Sequence, residues 1–296
     1  MLRSVWTQTK LMFNKKSFMI SFTLMMIICT AEVVFNAYGI TIMRSDDDGF
    51  VGNDPSSVVS SFEAFILCIS SNLLNYIELL FPFICALPFS FSILTDKIEN
   101  TDTLLCAYSG KRNYIISKIV AVFIGSFVIF FVPLMINDIL NYLIFDNSMG
   151  ANLFNSNWRF NGWGVMRATD YPNAPFGDLL AASPFAYSAL HAAMFSLMAG
   201  VFGVLALACS VFCRKNKVIA FAPGFLIINI LQFLENYNMN SSIETKYTAV
   251  DPFLYVTYYY CDGRIGMNYG AFFIALGLIV VISSAILLFG GRKDLI

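Results

Sequence analysis

The sequence predicts an all-α membrane protein with six transmembrane helices, an N-terminal interfacial helix and a short cytoplasmic helix between spans two and three. Three observations predict it. Of the 296 residues, 58% are hydrophobic and only 12% charged, whereas soluble domains devote roughly a quarter of their residues to charge. Six stretches meet or approach the length of about 20 apolar residues that a helix needs to cross a bilayer, where lipid offers the backbone no hydrogen-bond partner. Threading those stretches with both termini inside places 13 of the 18 Lys and Arg in the cytoplasm, the asymmetry expected of short flanking loops.

Residues 1–16 open the chain with MLRSVWTQTKLMFNKK. Leu2, Val5, Trp6, Met12 and Phe13 fall largely on one side of a 3.6-residue period, and Arg3, Thr7, Lys10 and Asn14 on the other. That is the pattern of a helix lying in the membrane interface; the plainer alternative is a positively charged flank. The first span, 17–38, follows with no small-residue cleavage pattern, so it reads as a retained helix. After it, RSDDDGFVGNDPSS is an acidic, solvated turn segment.

The second span, 64–91, carries Pro82 and Pro88 near its end. Each proline removes a donor and pushes off the preceding turn, so a kink or change of direction is expected there. Residues 93–110 then form a cytoplasmic helix. Leu94, Ile98, Thr101 and Leu105 line one face, Asp96, Lys97, Glu99, Asn100 and Asp102 cover the rest, and Gly110 is available as terminator. Asp96 and Glu99 read as a weak cap. The segment is too polar to cross the bilayer and too patterned for a loose linker.

The remaining spans are 115–138, 184–212, 218–235 and 269–290, with Pro133 and Pro223 as possible kinks in the third and fifth. Between spans three and four, Trp158 and Trp163 suit a headgroup layer. Before the last span, Tyr255, Tyr258, Tyr259 and Tyr260 read either as an interfacial belt or as a peptide-contacting surface. Met194, Met198, Gly200 and Gly203 mark a place of close helix packing. The whole chain, 1–296, reads as one transmembrane domain.

Several classes receive no support. No basic stripe with interleaved aromatics suggests nucleic acid. The seven cysteines are scattered and pair with no second cluster of soft ligands, so they read as packed thiols and no metal is expected. No phosphate-cradling loop is present, since YSGKR lacks both the glycine spacing and the hydroxyl after lysine, and H-E-x-x-H is absent. No catalytic residue and no cofactor is therefore expected in this chain. His191, the only histidine, reads as an interior residue with satisfied hydrogen bonds.

The amphipathic MLRSVWTQTKLMFNKKS, the six-span layout and the insert TDKIENTDTLLCAYSGKRNYIISK together resemble the membrane subunit of a bacterial ABC-2 type exporter. In that family the insert reads as a short acidic helix, a leucine pair, a basic residue near a tyrosine and a lysine opening span three; here these fall on Asp96 and Glu99, Leu104 and Leu105, Arg112 and Tyr114, and Lys118. NKVIAFAPGFLIINI resembles the family's basic turn into a proline-bearing fifth span. The resemblance implies that 93–110 is a coupling helix seated in an ABC ATPase subunit, with Asp96, Glu99, Leu104, Leu105 and Arg112 carrying the contact. It further implies ATP hydrolysis in that separate chain, a second permease copy or related permease as partner, and a peptide or amphiphile as substrate. A departure is IENTDTLL, which replaces the family's usual glycine or threonine emphasis.

Charges inside the spans are costly if they face lipid. Glu32, Glu78 and Asp138 are candidate intramembrane polar sites, and Glu235, like Asp138, sits near a predicted outer edge. Two other classes stay open. One is an ion-coupled secondary transporter, although no repeat between the two halves is evident. The other is a peptide-sensing or immunity protein of the cell membrane that does not transport.

Overall fold

A computed structural model of the chain describes residues 2–45, 61, 64–67, 73–99, 101, 105–107, 110–145, 176, 179, 183–211, 222–241, 247–257 and 265–294. In order, the helices are α1 (Leu2–Phe13), α2 (Lys16–Ser45), α3 (Leu74–Ala86), α4 (Ser92–Ile98), α5 (Lys111–Ile144), α6 (Pro184–Ser210), α7 (Ala222–Ser241), α8 (Pro252–Val256) and α9 (Tyr269–Asp294). Two short strands, β1 (Tyr247–Thr248) and β2 (Ile265–Gly266), pair in parallel, Tyr247 opposite Ile265 and Thr248 opposite Gly266.

The chain is a largely α-helical, multi-span protein. Among the described residues, four helices are long and apolar enough to cross a membrane, over Lys16–Tyr38, Lys111–Ile144, Phe185–Ser210 and Tyr269–Leu288. Six were expected, so two segments need correction. Residues 64–67 are turns, and α3 has only 13 residues, about 20 Å at 1.5 Å per residue. It accommodates Pro82 but stops at Ala86, ahead of Pro88, which has no N–H with which to continue the ladder. The fifth segment does form a helix, α7, but Asn229, Gln232, Glu235, Asn236 and Asn238 dilute its apolar character.

Helix α6 lies at the centre, with most of its apolar length buried, whereas most of that of α9 is not. It runs antiparallel to α5: Ser188 meets Asp138 near one end, while Gly200 and Gly203 meet Phe123 and Ser126 towards the other. The close packing expected at the glycines is present. A Cβ on Gly203 would overlap the Ser126 hydroxyl and press on the Cys85 carbonyl. That contact is held by two hydrogen bonds, Ser126 Oγ donating to Cys85 O at 2.8 Å and Ser90 Oγ to Gly203 O at 3.2 Å. Three elements are thereby fixed at one point.

Helix α2 packs on α5 through Phe18, Ser21, Met25, Cys29, Glu32 and Val33, a buried stripe at helical spacing. Its opposite side exposes Met19, Ile20, Ile27, Val34, Phe35 and Tyr38, and α9 exposes Phe273, Ile274, Leu278, Val281 and Ile282. Apolar faces of this extent are unsuited to water and match a hydrocarbon surround. Within the bundle, Phe81 of α3 meets Phe130, Phe195, Phe202 and Phe253 at ring-centroid distances of 5.3 to 5.5 Å. This ring cluster joins α3, α5, α6 and α8.

The turn at 64–67 shows how non-helical backbone is tolerated inside such a bundle. Asn137 accepts from the Ile66 N–H at 3.1 Å and donates to the Cys29 carbonyl at 2.8 Å, and Asn141 donates to the Ala64 carbonyl at 3.0 Å. Side-chain amides of α5 thus replace the missing helical partners.

Helix α1 forms as expected, but its faces differ from those the periodicity suggested. Ser4 Oγ lies 3.1 Å from Ser117 Oγ and Met12 packs over Gly125, so equal advances along the two helices keep them alongside one another. Gln8, Thr9 and Met12 face α5, whereas Trp6, at 72% exposed, and Phe13 point away.

Candidate functional site

The segment between α3 and α5 is where the sequence concentrates charge, and its first helix is anchored by burial. Asp96 lies inside α4, so it does not cap it. Its Oδ2 receives the Tyr114 hydroxyl at 2.6 Å and lies 2.7 Å from Lys118 Nζ. Tyr114 and Lys118 are four residues apart on α5, and that spacing presents both on one helical face. A carboxylate approached by an ammonium and a phenol at such distances makes charge-assisted hydrogen bonds, the stronger kind.

The Lys118 ammonium also lies 4.6 Å from the centre of the Phe89 ring, and the Lys15 ammonium lies 4.7 Å from that same centre. Phe89 therefore offers its π-electrons to two cations. Ser17 Oγ donates to the Pro88 carbonyl at 3.0 Å, bringing the start of α2 to the same place. Four segments meet here: the foot of α2, residues 88–89, α4 and the first turns of α5.

Beyond α4 the chain is not one continuous helix over 93–110. The helix ends at Ile98, and a helical turn reappears at 105–107. Thr101 N–H donates to the Asp96 carbonyl at 2.9 Å, and Gly110 N–H to the Cys106 carbonyl at 2.9 Å. Gly110, expected to terminate that helix, instead precedes α5 as its N-cap, with φ +78°, a conformation that glycine adopts without a Cβ clash. Of the residues assigned to a docking contact, Glu99 and Arg112 are exposed and Leu105 is half-buried against the core. Asp96 is turned inward, and Leu104 lies outside the described residues.

The intramembrane candidates separate into three environments. Glu32 is 1% exposed on the face of α2 that packs on α5. Asp138 accepts from Ser188 Oγ at 2.6 Å between α5 and α6 and is buried. Glu78 is half-buried on α3, and its charge faces that of Asp251. The sequence reading missed Asp251. It caps α8, its Oδ1 accepting from Phe253 N–H at 3.0 Å, and an Asp-Pro pair ahead of an apolar run was the available signal. Glu235 joins the same place: its Oε2 accepts from Val250 N–H at 2.6 Å and Asp251 N–H at 3.1 Å. Burial, then the Glu235 charge, push the Asp251 carboxyl up to about 6, against the opposing Phe253 N–H.

Tyr255 proves to be neither a belt nor a contact surface. It is buried, donates to the Ala249 carbonyl at 2.7 Å and stacks on Phe272 at 5.0 Å. Tyr258, Tyr259, Tyr260, Trp158 and Trp163 lie outside the described residues. His191 is buried with Nδ1 3.1 Å from the Val256 carbonyl. Among the described residues, no group of three or more His, Cys, Asp or Glu could hold a metal ion. Compared with protein families, curated proteins and solved structures, the chain matches none of them.

Proposed function

We propose that the chain is the membrane-spanning permease subunit of an ATP-driven transporter of the ABC-2 type, moving a peptide or other amphiphile across or out of the cell membrane. In this reading both termini and the 92–112 segment are cytoplasmic. An ABC ATPase subunit docks there and hydrolyses ATP in its own chain, and a second copy or a related permease supplies the other half of the assembly.

The observation that carries the reading is the joint between α4 and α5. A short polar helix is tied through the buried Asp96 carboxylate to Lys118 and Tyr114, while Glu99 and Arg112 remain exposed. A partner seated on the exposed charges therefore acts on the foot of a long membrane helix through a stiff ionic link. Exposed rim charges fix orientation and partner choice, whereas Leu105 belongs to the packing of the chain itself.

The test is purification of the tagged chain from its own membranes. A chain with an intact nucleotide-binding loop is expected to accompany it, and the paired changes Glu99→Lys and Arg112→Glu are expected to reduce that recovery while leaving the chain folded. Recovery of no ATPase, or recovery unaffected by both changes, overturns the reading.

A further inference from the structure

Glu78, Glu235 and Asp251 come from three separate elements, α3, α7 and the residue before α8, and all three side chains end in carboxyl groups; among the described residues, those of Glu235 and Asp251 receive backbone N–H groups alone. Asp251 faces the charge of Glu78 on one side and gives its own N–H to Glu235 Oε2 at 3.1 Å on the other. Pro82 adds to the imbalance, because it has no N–H to give to the Glu78 carbonyl one turn earlier.

A second observation points to something that binds there. The other oxygen of Glu235, Oε1, has no hydrogen-bond partner among the described residues, although Glu235 is only 3% exposed. A buried carboxylate oxygen left without a donor bears the full cost of its lost hydration. Adding a donor that carries positive charge removes that cost and offsets the repulsion between the carboxylates.

The surroundings define the rest of the ligand. Each acidic residue has an exposed apolar neighbour in the chain: Leu79 beside Glu78, Leu234 beside Glu235 and Val250 beside Asp251. The rings of Phe83 of α3 and Phe225 of α7 lie 6.0 Å apart, tilted by 49°, between the same two helices. Carboxyl groups with exposed apolar residues next to them in the chain suit a molecule with a cationic head and a hydrocarbon body.

We propose that Glu78, Glu235 and Asp251 form a binding site for the protonated amine or guanidinium head of a cationic amphiphile. This deepens the transport reading by naming a substrate class, and it rests on that reading only for what happens to the ligand after it binds. Binding itself needs neither nucleotide nor ATPase.

The experiment uses the full chain in an uncharged maltoside detergent, with dodecylguanidinium as probe and uncharged dodecylurea, of the same shape, as control. At pH 7.5 the guanidinium is expected to bind saturably and raise the unfolding temperature, and the urea to do neither. Glu78→Gln, a change at a half-buried position, is expected to weaken guanidinium binding by about tenfold or more, the loss of one charged contact. Asp251→Asn keeps the helix cap and provides a second variant with the same expectation. Among the described residues, the other titratable groups around Asp251 are Glu78, Glu235, Tyr255 and, through the Val256 carbonyl, His191. With Asp251 protonating near 6, affinity is expected to fall as pH drops from 7.5 to 5. Equal binding of guanidinium and urea, no guanidinium binding, or a loss smaller than tenfold in both variants overturns the proposal. Such a failure leaves ATPase recovery intact, and a failed recovery leaves this measurement intact.

Discussion

Lys118 Nζ lies 2.7 Å from Asp96 Oδ2, an ion pair whose side chains are 2% and 12% exposed. Twenty-two residues separate the partners in sequence. Removing one member of such a buried pair leaves the other charge without compensation, at a cost of about 3–5 kcal/mol, whereas replacing both by apolar groups is often neutral. Lys118→Met is therefore expected to lower the thermal unfolding midpoint sharply, and Lys118→Met with Asp96→Leu to recover most of the loss. If the double variant is as unstable as the single, the pair is not what holds α4.

Phe81 and Phe83 are two residues apart on α3 and have opposite surroundings. Phe81 is fully buried among Phe130, Phe195, Phe202 and Phe253, whereas Phe83 is partly exposed beside Phe225. Phe81→Ala is expected to cost about 3–5 kcal/mol, the usual effect of emptying an aromatic site. Phe83→Ala is expected to cost under about 1 kcal/mol. Chemical unfolding in detergent measures both, and equal effects would contradict the assigned position of α3.

Glycines on the central helices offer a contrast between rigid and yielding neighbours. A methyl at Gly203 meets the Ser126 hydroxyl, which can turn away only by giving up its hydrogen bond to Cys85, and the Cys85 backbone carbonyl, which is fixed by its helix. At Gly125 it meets the thioether end of Met12, which can adopt another rotamer. Gly203→Ala is expected to destabilise by about 1–3 kcal/mol, and Gly125→Ala by less. The order of the two unfolding midpoints checks the prediction.

Asp251 gives a pH dependence whose sign can be worked out. Its carboxyl is pushed up to about 6 in the fold from an ordinary value of 3.8. The folded state therefore binds the proton more tightly than the unfolded state. Above about pH 6 this group destabilises the fold; as pH falls from 7 towards 4 the penalty disappears. Asp251→Asn, which removes the charge and retains a capping side chain, is expected to be the more stable protein at pH 7.5. That advantage is expected to shrink steadily by pH 5, as followed by thermal unfolding across the range.

The four long apolar helices were legible because hydropathy and length both act locally along the chain. The stripe Phe18, Ser21, Met25, Cys29, Glu32 is likewise local, and its spacing is visible in the letters. Segment 64–91 misled because an apolar run does not reveal which backbone groups will find partners. Here Asn137 and Asn141, more than 70 residues away, supply partners for the backbone at 64–66. The same limit applies to the charged segment. Asp96, Tyr114 and Lys118 were all singled out from sequence, but only the fold shows that Asp96 turns inward to meet the other two. Glu78 and Glu235 were noticed separately, and nothing local indicated that both approach Asp251.

The unbroken length of α5 bears on motion. From Lys118 to Ile129 the helix rises about 16 Å at 1.5 Å per residue, and over that distance no proline interrupts the ladder. At Pro133 one amide hydrogen is missing, so stiffness drops there. A displacement of the clamped foot is therefore expected to travel along the lower shaft as along a lever, with the proline the place where the helix bends most readily and Asp138 with its Ser188 tether beyond it.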